Sequence, residues 1–223
     1  MAKQRSVFDI IGPVMIGPSS SHTAGAVRLG KLARAIFGGQ PTSADIVLHG
    51  SFASTGTGHG TDLALVAGLL GMAPDDPRIP DAFAEAAAAG LEFTFTADDL
   101  GEVHPNTARL LLRGVDSRDM VVQGCSVGGG DVLVTLIGEF EVAVSGDLPV
   151  LVVAHHDQPG VIAGVTAVLA AEGVNVASME VSRERRGAGA LMIIETDNPV
   201  GEGSLRELLK VAGVTGVRTV PAV

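Results

Sequence analysis

The C-terminal third of this 223-residue chain is divided by turn-forming residues into six short segments, and this punctuation constrains the fold more than any other feature. The apolar spacing predicts a strand, a helix, two strands, a second helix and a last strand. These elements cover residues 149–154, 161–172, 174–182, 190–196, 204–212 and 214–220. The βαββαβ order is typical of the ferredoxin-like fold, in which the helices cover one face of an antiparallel sheet.

The loop between the first of these strands and its helix has the sequence HHDQPG, residues 155–160. Asp157 is expected in the N-cap region, because its carboxylate can accept hydrogen bonds from free N–H groups of a helix start. Pro159 is tolerated in a first helical turn. Gly173 is the predicted C-cap of this helix.

The preceding residues predict a mixed α/β region. Helices are predicted over 24–37, 61–70 and 83–89, and strands over 45–49, 91–96, 108–113, 120–123 and 132–144. The segment 49–62 is predicted as a loop. Turn signals at Ser145-Gly146-Asp147 favour a domain boundary there. We therefore expect an α/β (α+β) protein with domains 1–146 and 147–223.

The charge of the chain disfavours a nucleic-acid partner. The net charge is −10 at pH 7, whereas phosphate-binding surfaces need clustered Lys and Arg. The nearest basic cluster, Arg183, Arg185 and Arg186, includes Glu184 and precedes Gly187, so a solvated hairpin tip is predicted there.

The apolar runs are too short for the roughly 20 residues that a membrane-spanning helix needs. A short apolar run follows the basic N-terminus, but Asp9, Gly12 and Pro13 interrupt it and no small-residue cleavage site follows. We expect a cytoplasmic protein without a signal peptide or membrane partner.

Cys125 is the single cysteine of the chain. One thiol forms no internal disulfide and cannot hold an iron–sulfur cluster, which normally takes several thiolates. The six histidines show no zinc-binding spacing such as H-E-x-x-H. We predict no metal held by this chain alone, and Cys125 is expected to be a small buried residue.

The densest polar motif is GPSSSHTAG, residues 17–25, immediately before a predicted helix. Hydroxyls and helix-start N–H groups all donate hydrogen bonds, and the helix dipole favours an anion there. A carboxylate or phosphate site is therefore predicted, and the alternative is an N-cap without a ligand. The motif lacks the ending of a P-loop and the spacing of a hydrolase elbow. The candidate binding residues are Ser19, Ser20, Ser21, His22 and Thr23.

A second motif, HGSFASTGTGHGTD at residues 49–62, follows a predicted strand and leads into a helix. Ligands commonly bind at strand ends of open α/β sheets. His59 lies between glycines, and imidazole is well matched to proton transfer near neutral pH. His59 is the catalytic candidate, although the spacing equally allows it to help cap the next helix. Residues 104–107 and 128–130 are predicted as turns, with a smaller chance of ligand contact.

The motifs GPSSSHTAG, GSFASTGTGHGTD, HPNTARLLL and SVGGG, in this order, resemble the beta region of bacterial iron–sulfur L-serine dehydratases. The first region is also similar to the allosteric-substrate-binding domain of some phosphoglycerate dehydrogenases. The βαββαβ order, with DQPG at 157–160 and GVNV at 173–176, resembles an ACT domain. The resemblance covers nearly the whole chain, because the two-chain enzyme carries an ACT domain after its beta region.

The resemblance implies the beta subunit of an L-serine ammonia-lyase, which converts L-serine to pyruvate and ammonia. A 4Fe–4S cluster on a cysteine-bearing alpha subunit would act as Lewis acid, so this chain would need that partner and be inactive alone. The loop from Ser19 to Thr23 would hold the substrate carboxylate. His59 would transfer a proton or orient the substrate.

ACT domains commonly pair edge to edge and bind an amino acid at the interface. The resemblance therefore implies a homodimer formed through residues 147–223. The effector, with L-serine as the natural candidate, would contact Asp157, backbone donors near Gly160, and Asn175. A purely structural role, pairing two beta chains, is the alternative.

Two other functions are compatible with parts of the sequence. A stand-alone amino-acid-sensing module without catalysis is the second candidate. A phosphoglycerate dehydrogenase fragment is disfavoured, because no G-x-G-x-x-G opens a helix after a strand. L-serine and L-threonine are not distinguished, because one methyl group in a pocket contributes only about 1–3 kcal/mol.

Overall fold

A computed structural model describes residues 13–115 and 118–223. It shows a mixed α/β protein with two sheets, which confirms the predicted fold class. None of the helices in these two ranges has the length and apolar character needed to cross a membrane. Residues 1–12, where the sequence predicts no signal peptide, lie outside the described part.

The chain forms two compact units that divide between Gly138 and Glu139. The domain boundary expected after residue 146 stays a prediction. The predicted strand over 132–144 is two strands, because the backbone turns at Gly138, where φ is 62°.

The first unit begins with a π-helical turn, Ser20–Ala24, that continues into helix α1. Its helices are α1 (Gly25–Phe37), α2 (Gly50–His59), α3 (Thr61–Leu69) and α4 (Ala82–Ala88). Its strands are β1 (Ser43–Leu48), β2 (Glu92–Ala97), β3 (Thr107–Arg113), β4 (Asp119–Gly128) and β5 (Asp131–Ile137). They lie in the order β2-β1-β3-β4-β5, with β1 parallel to β2 and the other neighbours antiparallel.

The register places several loops at one end of this sheet. Leu48 at the end of β1 is paired with Ala108 near the start of β3, and Thr107 is paired with Cys125 near the end of β4. The loops after β1 and β4 therefore lie beside the loop before β3.

The segment 50–59 is helix α2, so the predicted loop is wrong there. Gly50 and Gly60, with φ of 55° and 67°, bound the helix rather than mark a long loop. Phe52 is completely buried, and its packing offsets the low helix propensity of the glycines. Gly56 faces Leu48 and Thr61 closely, with its Cβ position 3.7 and 3.6 Å from their side chains.

The second unit contains β6 (Phe140–Val144) and the predicted βαββαβ elements, which are therefore confirmed. They are β7 (Val150–His156), α5 (Val161–Ala171), β8 (Val176–Arg183), β9 (Gly189–Thr196), α6 (Glu202–Leu208) and β10 (Val214–Val220). The antiparallel sheet has the order β10-β7-β9-β8. Apolar side chains from both helices, including Val165 and Leu208, form its core with Leu151, Met192 and Ile194.

Asp157 does not cap α5, contrary to the prediction. The N-cap is Gly160, with φ of 94°. The Asp157 carboxylate instead accepts hydrogen bonds from Arg183 Nη1 at 2.9 Å and from the Gly187 backbone N–H at 3.0 Å. The Asp157 carboxylate therefore binds a guanidinium and a turn N–H instead of capping the helix. At the other end of α5 the C-cap is Glu172, so the predicted C-cap at Gly173 is wrong by one residue; Gly173 follows it with φ of 70°.

Helices α1 and α3 approach each other through two glycines. A Cβ at Gly68 would clash with the Val27 carbonyl oxygen, and a Cβ at Gly30 would clash with the Leu65 carbonyl oxygen. The close contact keeps α1 against the sheet, where Gly124 of β4 leaves room for Leu29. This packing fixes the position of the turn that precedes α1.

Gly68→Ala is expected to lower the free energy of unfolding by about 1–3 kcal/mol, because its methyl group would force α1 and α3 apart. Equilibrium unfolding in urea measures the change. Gly58→Ala in α2 is the matched control, since no atom lies within 4 Å of its Cβ position. The control should be neutral or stabilising by about 0.5–1 kcal/mol. Equal destabilisation by both substitutions would contradict this account.

Candidate functional site

The serine-rich motif forms a wide turn before α1. Ser19 begins it: its Oγ accepts a hydrogen bond from the His22 backbone N–H at 3.1 Å, and its carbonyl oxygen accepts from the Thr23 N–H at 2.8 Å. Part of the motif therefore is an N-cap, as the alternative interpretation expected. Ser20 and Ser21 are half-buried, and no hydrogen bond joins either hydroxyl to the described part of the chain. Those two hydroxyls are the donors available to a ligand.

Residues of α2 surround the His22 imidazole. His22 Nε2 lies 3.0 Å from Ser51 Oγ. The edge-to-face contact with Phe52 has a centroid distance of 5.4 Å, and the His59 ring lies 5.1 Å away at an interplanar angle of 38°. The structure thus brings the two sequence-predicted motifs into one site.

Burial and a neighbouring imidazole lower the pKa of His22. Desolvation is the larger cause, because a charged ring loses hydration. Coulombic repulsion from the His59 ring adds to it, and a hydrogen bond with the Ser51 backbone acts in the opposite direction. His22 is therefore neutral at pH 7.

The hydrogen bonding of His59 identifies its basic nitrogen. His59 Nδ1 lies 3.1 Å from the Thr55 carbonyl oxygen, which can only accept a hydrogen bond. In the neutral ring Nδ1 therefore carries the proton and Nε2 keeps the lone pair. The side chain is exposed, so this nitrogen is accessible to a ligand.

Thr23 has a different place from the other predicted binding residues. It is buried, and its Oγ1 donates to the His59 backbone carbonyl oxygen at 3.2 Å. Gly17, with φ of 136°, allows the chain to pass directly over the Thr23 side chain. Thr23 thus joins the two motifs, whereas Ser20 and Ser21 keep free hydroxyls.

The loop at 104–107 supports the start of α2. The Pro105 carbonyl oxygen accepts a hydrogen bond from the Ser51 N–H at 2.8 Å, and the Thr107 carbonyl accepts from the His49 N–H at 3.0 Å. A Cβ at Gly50 would lie 2.7 Å from the Pro105 carbonyl oxygen, so the close approach requires glycine. This motif, predicted as a turn, holds the helix that carries His59.

The end of β4 contacts both the start of α1 and the loop at 104–107. The Ser126 N–H donates to the Asn106 carbonyl oxygen at 3.1 Å, and Asn106 Nδ2 lies 3.4 Å from the Ser126 carbonyl oxygen. Ser126 is fully buried against Gly25, and any side chain at Gly25 would clash with it. Its Oγ has no hydrogen-bond partner among the residues that the structure describes. All four motifs of the sequence are therefore contiguous in space.

Ser51, Phe52 and Asn106 received no individual role from the sequence. Serine and asparagine are frequent in turns, and a lone phenylalanine in a glycine-rich segment carries no spacing signal. The sequence indicated these three residues only through their positions within the four motifs. The assignment of Ser19–Thr23 and His59 as ligand-binding and catalytic residues stays a prediction.

The predicted effector residues of the second unit are engaged within it. Hydrogen bonds from the Gly187 N–H and then Arg183 lower the pKa of Asp157. Asn175 Nδ2 donates to Asp197 Oδ2 at 2.7 Å. Gly160 is exposed at the start of α5. Any effector would therefore compete with internal partners for Asp157 and Asn175.

The site residues do not fit a cluster or metal centre. Across residues 13–115 and 118–223, no three His, Cys, Asp or Glu side chains come together as a ligand set. Cys125 is 4% exposed on β4, and burial raises the pKa of its thiol, which disfavours the thiolate needed for ligation. The arrangement fits anion binding and proton transfer.

The fold defines a two-unit chain in which a mixed α/β unit is followed by an ACT domain. The family model for the serine dehydratase beta chain matches residues 6–91, and the ACT domain model matches residues 150–213.

The chain is 46% identical over 215 residues to a probable L-serine dehydratase beta chain of Bacillus subtilis, covering 96% of this chain and 97% of that protein. It is 35% identical to the L-serine dehydratase beta chain of Peptoniphilus asaccharolyticus, with 96% and 97% coverage. A D-3-phosphoglycerate dehydrogenase of Synechocystis is 28% identical over 87% of this chain but only 35% of that protein. The chain belongs to the family of L-serine dehydratase beta chains, which confirms the resemblance.

The lowered pKa of His22 predicts a pH-dependent stability. The folded state binds fewer protons than the unfolded chain below the ordinary pKa of 6.5, so the free energy of unfolding falls as pH is lowered from about 7 toward the folded-state pKa. Above about pH 7 His22 contributes no slope. Urea unfolding at several pH values should show a smaller decrease in His22→Gln than in the unchanged protein. An identical decrease in both would refute the lowered pKa.

Proposed function

We propose that this chain is the beta subunit of an L-serine dehydratase and acts with a cysteine-bearing alpha subunit on L-serine, releasing pyruvate and ammonia. The observation that carries the proposal is the contact between the rings of His22 and His59, with centroids 5.1 Å apart, where His22 belongs to the turn that also contains Ser20 and Ser21. Similarity over nearly the full length of two L-serine dehydratase beta chains supports it.

The serine-rich turn binds the substrate carboxylate in this proposal. The hydroxyls of Ser20 and Ser21 donate to the carboxylate, and the positive end of the helix that follows attracts its charge. Ser19 shapes the turn through its bond to His22, and Thr23 fixes the turn to α2. Neutral His22 contributes a ring nitrogen without adding a charge that would need solvation.

His59 takes the α-proton of the bound amino acid. Its Nε2 holds the lone pair, because Nδ1–H donates to the Thr55 carbonyl oxygen. The 4Fe–4S cluster of the proposal is held by the alpha subunit and not by this chain, in accord with the buried single cysteine. The proposal places the complex in the cytoplasm, where such a thiol stays reduced.

Anaerobic pyruvate formation from L-serine tests the proposal, with this chain alone, its cysteine-bearing partner alone, and the mixture. Only the mixture should be active. His59→Gln in the mixture should lower kcat about 10²–10⁴-fold, as expected for loss of a general base. His156→Gln, a change at an exposed histidine of the second unit, is the matched control and should leave kcat unchanged.

Two outcomes separate the alternatives. An inactive mixture that holds an intact cluster would refute the catalytic proposal and favour a stand-alone amino-acid sensor. An active mixture in which His59→Gln retains full kcat would refute the role of His59 while leaving the subunit assignment in place.

The second unit, with its boundary proposed after residue 146, pairs two beta chains and binds L-serine. Support comes from the exposed Met179 and Val181 on the edge strand β8, and from the exposed turn at Gly160. Asp157 and Asn175 would exchange their internal partners for the effector. A purely structural pairing leaves these residues as they are.

L-serine calorimetry and sedimentation of the full chain test this role. We expect a dimer that binds L-serine, and Asn175→Ala should weaken binding about tenfold through loss of one hydrogen bond. Asn198→Ala, at another exposed asparagine of the same unit, is the control. A dimer that releases no heat with L-serine would favour the structural role, and a monomer would refute both.

A further inference from the structure

We propose that Ser51 is a positioning residue for the reaction, whose hydroxyl fixes the orientation of the His22 imidazole beside His59. The catalytic consequence rests on the proposed function. The orientation of the His22 ring by its hydrogen bond to Ser51 does not depend on the proposed function.

The backbone of Ser51 is held on both sides. Its N–H donates to the Pro105 carbonyl oxygen at 2.8 Å, and its carbonyl oxygen accepts from Thr55 Oγ1 at 2.8 Å. Gly50 permits the close approach to Pro105. The Ser51 side chain therefore projects from a fixed point at the start of α2.

The Ser51 hydroxyl is used for His22 and not for the helix. Ser51 Oγ is bonded to His22 Nε2 at 3.0 Å, and in the described ranges it makes no other hydrogen bond. No side chain of residues 13–115 or 118–223 caps helix α2, and its local hydroxyl bonds come from Ser54 and Thr55. Removing this hydroxyl should therefore leave the helix folded.

A hydrogen bond is the contact that can set the rotation of this ring. The contacts of His22 with Phe52 and His59 are ring-to-ring packing, which constrains position more than rotation about χ2. With Nε2 held by the Ser51 hydroxyl, Nδ1 is the nitrogen left to a ligand. His22 and His59 then present different ring nitrogens, Nδ1 and Nε2.

Side-chain ¹⁵N NMR of the full chain tests the hold directly, with His22→Gln used to assign the His22 signals. Ser51→Ala should shift the Nδ1 and Nε2 ¹⁵N signals of the His22 ring, because Nε2 loses its side-chain hydrogen-bond partner. Ser51→Thr, which keeps a hydroxyl, should restore both. Ser54→Ala is the control, because the exposed Ser54 hydroxyl is bonded to the Ser51 carbonyl oxygen and not to His22. Unchanged His22 signals in Ser51→Ala would overturn the inference.

Activity of the mixture with the partner chain tests the catalytic consequence. Ser51→Ala should lower kcat about tenfold with little change in KM, and Ser51→Thr should recover most of it. Altered His22 signals with unchanged kcat would overturn the catalytic role. An inactive unchanged mixture would refute the proposed function, while the NMR comparison would still decide whether Ser51 holds His22.

Discussion

Two hydrogen bonds between adjacent residues of the turn and the two ends of α2 organise the site. His22 is bonded to Ser51 at the start of the helix, and Thr23 is bonded to the His59 carbonyl at its last residue. Both ends of the helix are thus hydrogen-bonded to one dipeptide, His22-Thr23. Since His59 ends the helix, its place beside His22 depends on both bonds at once.

Close backbone approach makes these bonds possible. Gly25 admits the buried Ser126 side chain beneath the turn, and Gly50 admits Pro105 beneath α2. A methyl group at either position would displace the element that carries a histidine. The glycine-rich character of the motifs is therefore a packing requirement as much as a source of turns.

The elements of regular pattern were predictable from the sequence, and the site was predictable in part. The β10 bounds agree fully because apolar residues and Gly213 mark the strand sharply. Helix α2 was missed because its glycines resemble loop punctuation, whereas tertiary burial of Phe52 decides the outcome. The pairing of Ser51 with His22 spans 29 residues of sequence and depends on the sheet register, which no local pattern contains. The prediction that Asp157 caps the helix failed for the same reason, because its partners Arg183 and Gly187 lie on a hairpin that is distant in sequence.

The position of Cys125 has a practical consequence for the oxidation of this chain. Its thiol is buried in β4 and kept protonated, so it is a poor target for oxidants that act on exposed thiolates. Exposure of this chain to air should therefore leave its thiol reduced, and in the proposed complex anaerobic handling would be needed for the partner that holds the cluster. Oxygen damage to the proposed complex would then be repaired by renewing that partner, while this chain is reused.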